Sequence, residues 1–259
     1  MIADLGRAAL TELSRVVSYA TLIVVTVGAA VRRPTEGGRV VWGQVARQII
    51  FSAWDAVPLV GLIAGLMTMT GVAMMATLAP AVDTPDMLGG IFASALVREL
   101  APLMTAIIVA LRSCSAVTVE LGYMSWRGEV EALETLGIDP AKFLLLPRFV
   151  GLTGAVVGLT LVFVIAVFVT GAVGAYFIGA GSSLTHLATN LYTFVTPTDI
   201  AVAALKSWTF GLIIAAVACY HGLSVRRDIT QVPRRTTRAL VEALVHCTTV
   251  NVAITLIAL

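Results

Sequence analysis

The sequence predicts an all-α integral membrane protein, and three observations support this prediction. Of its 259 residues, 58% are hydrophobic and 12% are charged, whereas a soluble domain carries roughly a quarter charged residues. Five apolar segments are each long enough to cross roughly 30 Å of hydrocarbon as a helix, at about 1.5 Å per residue. The basic residues are concentrated in alternate connecting segments, which is typical of a chain that crosses a membrane several times.

The five predicted spans follow one another from the first third of the chain to its end. They run near residues 56–80, 88–111, 149–178, 200–221 and 239–259. In the third span small residues recur at helical spacing, a pattern that suits close helix packing in lipid. These residues are Gly151, Gly154, Gly158, Gly171 and Gly174.

A sixth apolar run, residues 16–31, is only about 24 Å long if helical. Arginine flanks it on both sides, which argues that both of its ends face the cytoplasm. We therefore expect an interfacial or re-entrant helix, with a tilted full span as the alternative. On this basis residues 1–46 form an N-terminal cytoplasmic and interfacial region, and residues 47–259 form a five-span domain.

The distribution of Lys and Arg predicts the orientation. Basic residues precede the first span and occupy the connections between the second and third spans and between the fourth and fifth. They are Arg47; Arg127, Lys142 and Arg148; and Arg226, Arg227, Arg234, Arg235 and Arg238. The other two connections, residues 81–87 and 179–199, contain no Lys or Arg. The positive-inside rule thus places the N-terminus in the cytoplasm and the C-terminus outside.

Charged residues also lie within predicted spans. Arg98 and Glu99 are about ten residues, or roughly 15 Å, into the second span. Each such charge costs roughly 2.5–3.5 kcal/mol, so it needs a partner or water. Adjacent helical residues point about 100° apart and are not a ready-made ion pair. Pro102 also leaves the carbonyl of Arg98 without its helical donor. We expect Glu99 and Lys206, on the fourth span, to face a shared polar cavity, with outward snorkelling of Lys206 as the alternative.

A methionine-rich stretch, "GLMTMTGVAMMATL", covers the end of the first span. Methionine is flexible and polarizable, so Met74, Met75 and the nearby Leu78 are candidates for the lining of an adaptable apolar cavity. Ordinary packing against lipid or protein explains the pattern equally well.

Nothing in the sequence predicts catalysis. The chain has no GxxxxGK[ST], HExxH or GxSxG motif. His186, His221 and His246 are on different segments, and the three cysteines are far apart without a CxxC pair, so we expect no catalytic residue and no metal site.

A short acidic helix is predicted near residues 125–137, in the connection between the second and third spans. Val130, Leu133 and Leu136 are three residues apart on one face, and Gly137 followed by Asp139 and Pro140 ends the element. Its glutamates lie away from that face. The helix is too short to span, so it is either a solvated connector or a surface that docks into the groove of a partner.

Four blocks resemble the MlaE/YrbE family, the permease subunits of ABC transporters that work with MCE proteins. They are "LVRELAPLMTAIIVALRSCSAVTVELGYM", "EALETLGIDPAKFLLLPRFVG", "AALKSWTFGLIIAAVACYHGL" and "TTRALVEALVHCTTVNVAITLIAL", and the resemblance runs from about residue 42 to the end. It implies a bacterial inner-membrane protein with an interfacial helix, five spans and an outward-facing lipid cavity at a dimer interface. Arg98 and Glu99 match the Arg–Glu pair that borders this cavity.

The resemblance also implies partners. A cytoplasmic ABC ATPase would bind the acidic helix as its coupling helix, through Arg127, Glu129, Val130, Glu131, Leu133, Glu134 and Leu136. An MCE-domain protein, expected as a hexameric ring, would receive or deliver lipid. The other expected partners are a second permease copy, identical or related, and a small STAS-type subunit. No nucleic acid is expected to bind. The chain would bind no cofactor itself, because ATP and Mg²⁺ belong to the ATPase. It departs from the family pattern at Gly128 and Glu129.

The leading interpretation is therefore a non-catalytic permease that moves phospholipids between the inner membrane and an envelope MCE protein. The alternative is an ion- or proton-coupled secondary transporter with Glu99 and Lys206 as its relay. A purely structural membrane subunit is a third class, in which the buried charges need only to pair. The acidic cytoplasmic helix favours the first interpretation, because a secondary transporter does not need it.

Overall fold

In a computed structural model, the described residues are 14–26, 28, 38–78, 85–177, 195–225 and 228–257. Within these ranges the chain forms helices and turns and no strand. The helices are α1 Ser14–Thr26, α2 Gly38–Ala53, α3 Val57–Leu78, α4 Pro85–Ala95, α5 Ala101–Val109, α6 Ser115–Trp126, α7 Glu129–Thr135, α8 Leu146–Phe177, α9 Pro197–Leu223 and α10 Gln231–Ile257.

Short 3₁₀ or π segments join several of these helices end to end, so that the described residues contain five helices long and apolar enough to cross a membrane. These first to fifth spans are Trp42–Met74, Gly90–Trp126, Ala141–Gly174, Pro197–Leu223 and Gln231–Ile257. The prediction of an all-α membrane protein with five spans is confirmed. The interfacial position of α1 stays a prediction; its 13 residues in Ser14–Thr26 are apolar but short.

Several spans are longer than the apolar segments that predicted them. The first begins at Trp42 instead of residue 56, and the second continues to Trp126 instead of residue 111. The extensions contain charged residues, and two of them, Arg112 and Asp55, pair with each other across neighbouring spans. Hydropathy detects only the apolar part of such a helix. The predicted boundary between residues 46 and 47 accordingly lies inside α2.

The third span is central to the bundle. It packs against the first span on one side and the fourth on the other, and the fourth also packs against the second and fifth. The fully buried side chains along these contacts include Phe163, Leu152 and Phe210. Large apolar side chains remain exposed on the outer helices, among them Leu62 and Ile257, as expected for surfaces that face lipid.

The predicted role of the small residues in the third span is confirmed for four of the five. A Cβ added at Gly151 would lie 2.5 Å from Cγ of Gln48, and one at Gly174 would lie 2.9 Å from Sδ of Met69. Gly154 and Gly171 also face the first span, at ordinary contact distance. Gly158 faces open space instead.

The contact between the third and fourth spans is closest at Gly211, and this gives a testable prediction. A Cβ at Gly211 would lie 2.5 Å from Cα of Thr153, a backbone atom that moves only with its helix. We expect Gly211→Ala to destabilise the protein by roughly 1–3 kcal/mol through overpacking. Thermal unfolding in detergent would measure it. Gly158→Ala is the matched control and should not lower the midpoint, and equal effects of both changes would contradict the packing argument.

Candidate functional site

An intramembrane polar cluster joins the second, fourth and fifth spans. Its centre is Lys206, whose side chain is fully buried and whose Nζ lies 2.6 Å from Oε2 of Glu99. Nζ also donates to Oγ1 of Thr255 at 2.8 Å. The same Glu99 oxygen lies 2.9 Å from Oγ1 of Thr255 and accepts from Nδ2 of Asn251 at 3.3 Å. The expected meeting of Glu99 and Lys206 is therefore present, and Lys206 does not snorkel outward.

The backbone around Glu99 departs from an α-helix. Pro102 has no N–H to donate to the carbonyl of Arg98. The residues before it, Leu96–Leu100, form a π segment in which the N–H of Ala101 donates to the carbonyl of Leu96. Such wider turns are frequent at functional sites. The defect expected at Pro102 is thus a local change of helix type that sets the direction of the Arg98 and Glu99 side chains.

Arg98 lies at the more exposed side of the cluster, between two carboxylates. Its Nε is 3.7 Å from Oε1 of Glu99, and its Nη1 is 3.8 Å from Oδ1 of Asp199. Both distances are long for ion pairs, so the expectation that Arg98 and Glu99 do not form a tight pair agrees with the geometry. The side chain of Arg98 is 24% exposed. It is the cluster's cation that a ligand would reach first.

Asp199 was absent from the sequence prediction, although a signal for it exists. Thr196 and Asp199 form a capping box at the start of α9: the N–H of Asp199 donates to Oγ1 of Thr196, and the N–H of Thr196 donates to Oδ2 of Asp199. The Thr-x-x-Asp spacing is the sequence signature of this motif. The cap fixes Asp199 beside Arg98.

Two acceptors in the cluster have no hydrogen-bond donor among the described residues. They are Oε1 of Glu99 and Oδ1 of Asn251, and both atoms are buried. A buried acceptor without a donor costs roughly 1–3 kcal/mol. The cluster therefore has unused capacity to accept hydrogen bonds.

A separate cavity of about 760 Å³ opens between the first, second and third spans. Its walls include Phe51, Val117 and Leu144, and its polar lining includes Arg47. An ion pair of 3.0 Å between the buried Arg148 and the exposed Glu120 lies at one side. Sequence reasoning used the arginines only to orient the chain. The apolar cavity lining predicted at Met74, Met75 and Leu78 stays a prediction. Met74 is 60% exposed, and the side chains of Met75 and Leu78 lie outside the described residues.

The acidic helix is present as α7, Glu129–Thr135, and it is shorter than predicted. Gly128 precedes it with φ +73°, a left-handed conformation in which a side chain is disfavoured, and Gly137 ends it with φ +74°. Val130 and Leu133 pack against the chain's own core. Leu136 is 73% exposed.

The three-residue stripe therefore does two different things. Val130 and Leu133 attach α7 to the bundle and remain only partly buried. Their expected role in docking, together with Leu136, stays a prediction. Their helical spacing correctly indicated an apolar face but not which body it meets. The surface left for a partner contains Leu136, Glu131 and Glu134, with Arg127 beside Glu129 at 3.6 Å.

Residues 45–257 match the family Permease MlaE. The chain belongs to the MlaE permease family. The resemblance stated from the sequence blocks is confirmed, and the match includes all of the polar cluster and α7.

Curated relatives include proteins named as ABC transporter permeases. A probable ABC transporter permease protein of Rickettsia prowazekii is 26% identical over 221 residues, covering 82% of this chain and 81% of that protein. One of Synechocystis is 31% identical over 160 residues, with 61% and 59% covered. The chloroplastic protein TRIGALACTOSYLDIACYLGLYCEROL 1 of Arabidopsis thaliana is 34% identical over 161 residues. The match spans 61% of this chain and 45% of the Arabidopsis protein.

As a member of the MlaE permease family, this chain is a multi-pass membrane protein and a permease subunit of an ABC transporter. Subunits of this kind work with a separate ATPase and are generally not catalytic themselves. Among the residues the structure describes, no group of three or more His, Cys, Asp or Glu side chains is placed to hold a metal ion. His221 and His246 are among them, whereas His186 is not.

Proposed function

We propose that this permease moves phospholipids between the inner membrane and an envelope MCE protein, driven by an ATPase that binds α7. The observation that carries the proposal is the polar cluster of Arg98, Glu99 and Lys206 within the spans. Charges at this depth are rare and are functional-site candidates by default. Here they combine with two buried acceptors that have no donor within the described part of the chain, next to a cation that is partly exposed.

A phospholipid fits the chemistry of this region. The guanidinium of Arg98 is suited to bind a phosphate oxygen, because arginine is a planar donor that matches phosphate geometry. The exposed apolar residues of the spans, such as Met69 and Leu66, offer a surface for acyl chains. The name of the Arabidopsis relative refers to a galactosylated diacylglycerol, which supports a substrate with two acyl chains on glycerol.

The proposal also includes the orientation of the chain in the membrane. With the N-terminus in the cytoplasm, α7 faces the cytoplasmic ATPase, and the start of α9, with Asp199, faces the envelope side. Arg98 and Asp199 then lie toward the outer half of the membrane. A second permease copy and a STAS-type subunit would complete the complex, and ATP and Mg²⁺ would bind only to the ATPase.

The direct test is reconstitution. The chain should co-purify with an ATPase and an MCE-domain protein when expressed with its native partners, and mass spectrometry should find bound phospholipid. In proteoliposomes, lipid transfer should depend on ATP and persist when the proton gradient is collapsed. Transfer that follows the proton gradient and ignores ATP would support the ion-coupled alternative instead.

Arg98→Ala tests the role assigned to the exposed cation. We expect ATP-driven lipid transfer to fall at least about tenfold, since loss of a charge-assisted hydrogen bond is worth roughly 1.5–3 kcal/mol. Arg98→Lys keeps the charge but loses the planar fork, so it should retain part of the activity. Assembly with the ATPase should not change in either variant. Unchanged transfer by Arg98→Ala would remove the headgroup role from this residue.

A further inference from the structure

A second polar cluster, centred on Glu242 in α10, is not used by the proposed lipid site. The carboxylate lies within hydrogen-bond distance of four side chains. They are Arg15 at 3.0 Å and Tyr19 at 2.5 Å from α1, His221 at 2.9 Å from α9, and Arg238 at 2.9 Å from α10 itself. We call these five residues the Glu242 cluster. It connects α1 to α9 and α10, which lie about 200 residues further along the chain.

The cluster is the main polar attachment of α1 to the bundle. Tyr19 is only 6% exposed, whereas Val17 and Val24 on the same helix are 58% and 70% exposed. The Tyr19 ring packs edge-on against Tyr220 at 5.1 Å and against His246 at 5.7 Å. Glu242 itself is 12% exposed. A buried carboxylate of this kind is stabilised only while its donors stay in place, so the position of α1 depends on Glu242.

The same region is in close contact with the helix that leads to α7. The hydroxyl of Ser125, near the end of α6, donates to the carbonyl of Val225 in the turn after α9 at 2.8 Å. A Cβ added at Gly222 in α9 would lie 2.6 Å from Cβ of Leu121 in α6. Helices packed at this distance do not slide independently. A displacement of α6 therefore moves the end of α9, which carries His221.

We propose that Glu242 is a positioning residue that transmits the movement of α7 to α1. The connection runs from α7 through α6 to the end of α9 and then through the Glu242 cluster to α1. This inference rests on the proposed function, in which an ATPase moves α7. It adds that α1 is a moving part of the transport cycle and that Tyr19 and Arg15 are its link to the bundle.

Tyr19→Phe is the sharpest test because it removes one hydroxyl and keeps the ring contacts. Tyr123→Phe is the matched control: Tyr123 is 41% exposed, and its hydroxyl makes no hydrogen bond with the residues described in the structure. Glu242→Gln removes the charge from the centre of the cluster. For each variant, assembled with the partner ATPase in nanodiscs, three quantities are measured: hydrogen exchange of residues 14–26, the ATP hydrolysis rate, and lipid transferred per ATP.

We expect Tyr19→Phe to increase exchange in α1 at least about fivefold, because a hydrogen bond to a charged group is worth more than a neutral one. Lipid transferred per ATP should fall by a similar factor while ATP hydrolysis stays within twofold of wild type. Tyr19→Phe added to Glu242→Gln should have little further effect, since both changes break the same contact. The control should match wild type in all three measurements.

Normal exchange in α1, or normal lipid transfer per ATP, in both Tyr19→Phe and Glu242→Gln would overturn the inference. Failure of the proposed function has a different result: the wild-type complex itself would transfer no lipid with ATP. In that case the inference that Glu242 transmits movement from α7 to α1 is overturned as well. The hydrogen-exchange measurement still shows whether Glu242 stabilises the position of α1. If Glu242→Gln fails to assemble, Tyr19→Phe alone decides.

Discussion

Glu99→Gln is expected to be among the most destabilising single substitutions in this protein, at about 3–5 kcal/mol, because it leaves a buried charge without its counter-ion. Lys206 has no exposed side-chain surface. With glutamine at position 99, its ammonium would have neutral acceptors, the new amide oxygen and the hydroxyl of Thr255, and no negative charge to pair with. Thermal unfolding of the purified protein in detergent, together with its yield in the membrane, measures the effect.

Removal of the other charge of the pair, by Lys206→Met, should lower the free energy of unfolding by less. Lys206→Met leaves Glu99 charged, but the Glu99 side chain is 28% exposed and has Arg98, Thr255 and Asn251 nearby. The order of the two effects thus follows from the difference in burial between the two charges.

The double variant Glu99→Gln with Lys206→Met separates stability from function. It removes both charges, so stability should recover toward that of wild type, whereas lipid transfer should remain low if the charges take part in transport. Recovery of both stability and transfer would assign the pair a structural role only. A double variant no more stable than Glu99→Gln would contradict the direct pairing of the two side chains.

Leu136→Glu is expected to prevent binding of the ATPase without disturbing the fold. Leu136 is 73% exposed, so replacing it should change the free energy of unfolding by less than about 0.5 kcal/mol. An exposed leucine on a short acidic helix is suited to be an anchor in a partner's groove, and loss of such an anchor weakens binding at least about tenfold. Co-purification with the ATPase and a titration of the two components measure the effect.

The matched control is Ile229→Glu. Ile229 is 39% exposed and lies in the turn before α10, on the same predicted side of the membrane. It should leave ATPase binding unchanged. Val130→Ala should behave differently from both, because this residue packs against the core, and its main effect should be on stability. Stoichiometric binding of the ATPase to the Leu136→Glu variant would exclude α7 as the docking helix.

Sequence patterns predicted the parts of this fold that depend on local composition. The five spans, the apolar face of α7 and the close packing at Gly151 and Gly174 all follow from properties of short segments. The need of Glu99 for a partner was also predictable, because an isolated charge in hydrocarbon is costly. Lys206 was a candidate because few other charges lie at that depth.

The remaining features depend on contacts between distant segments. Glu242 appears in the sequence as an ordinary acidic residue near a basic loop, and its partner Tyr19 is 223 residues away. Asp55 and Arg112 likewise give no sign in the sequence that they pair with each other, because each lies just outside a different apolar segment. Periodicity shows which side of a helix is apolar, but only packing shows whether that side meets the chain itself or another protein. For Val130 and Leu133 the packing shows contact with the chain's own core, and their part in docking stays a prediction.

The three cysteines have a practical consequence for following these movements. Cys114, Cys219 and Cys247 are 0%, 0% and 2% exposed, and each is a free thiol. Thiol-reactive dyes need an accessible thiolate, and none of these side chains offers one. Two cysteines introduced at exposed positions, one at Val17 on α1 and one at Thr135 on α7, would then carry the labels in an otherwise unmodified sequence. Distances between α1 and α7 become measurable by fluorescence during turnover, without first replacing the native cysteines.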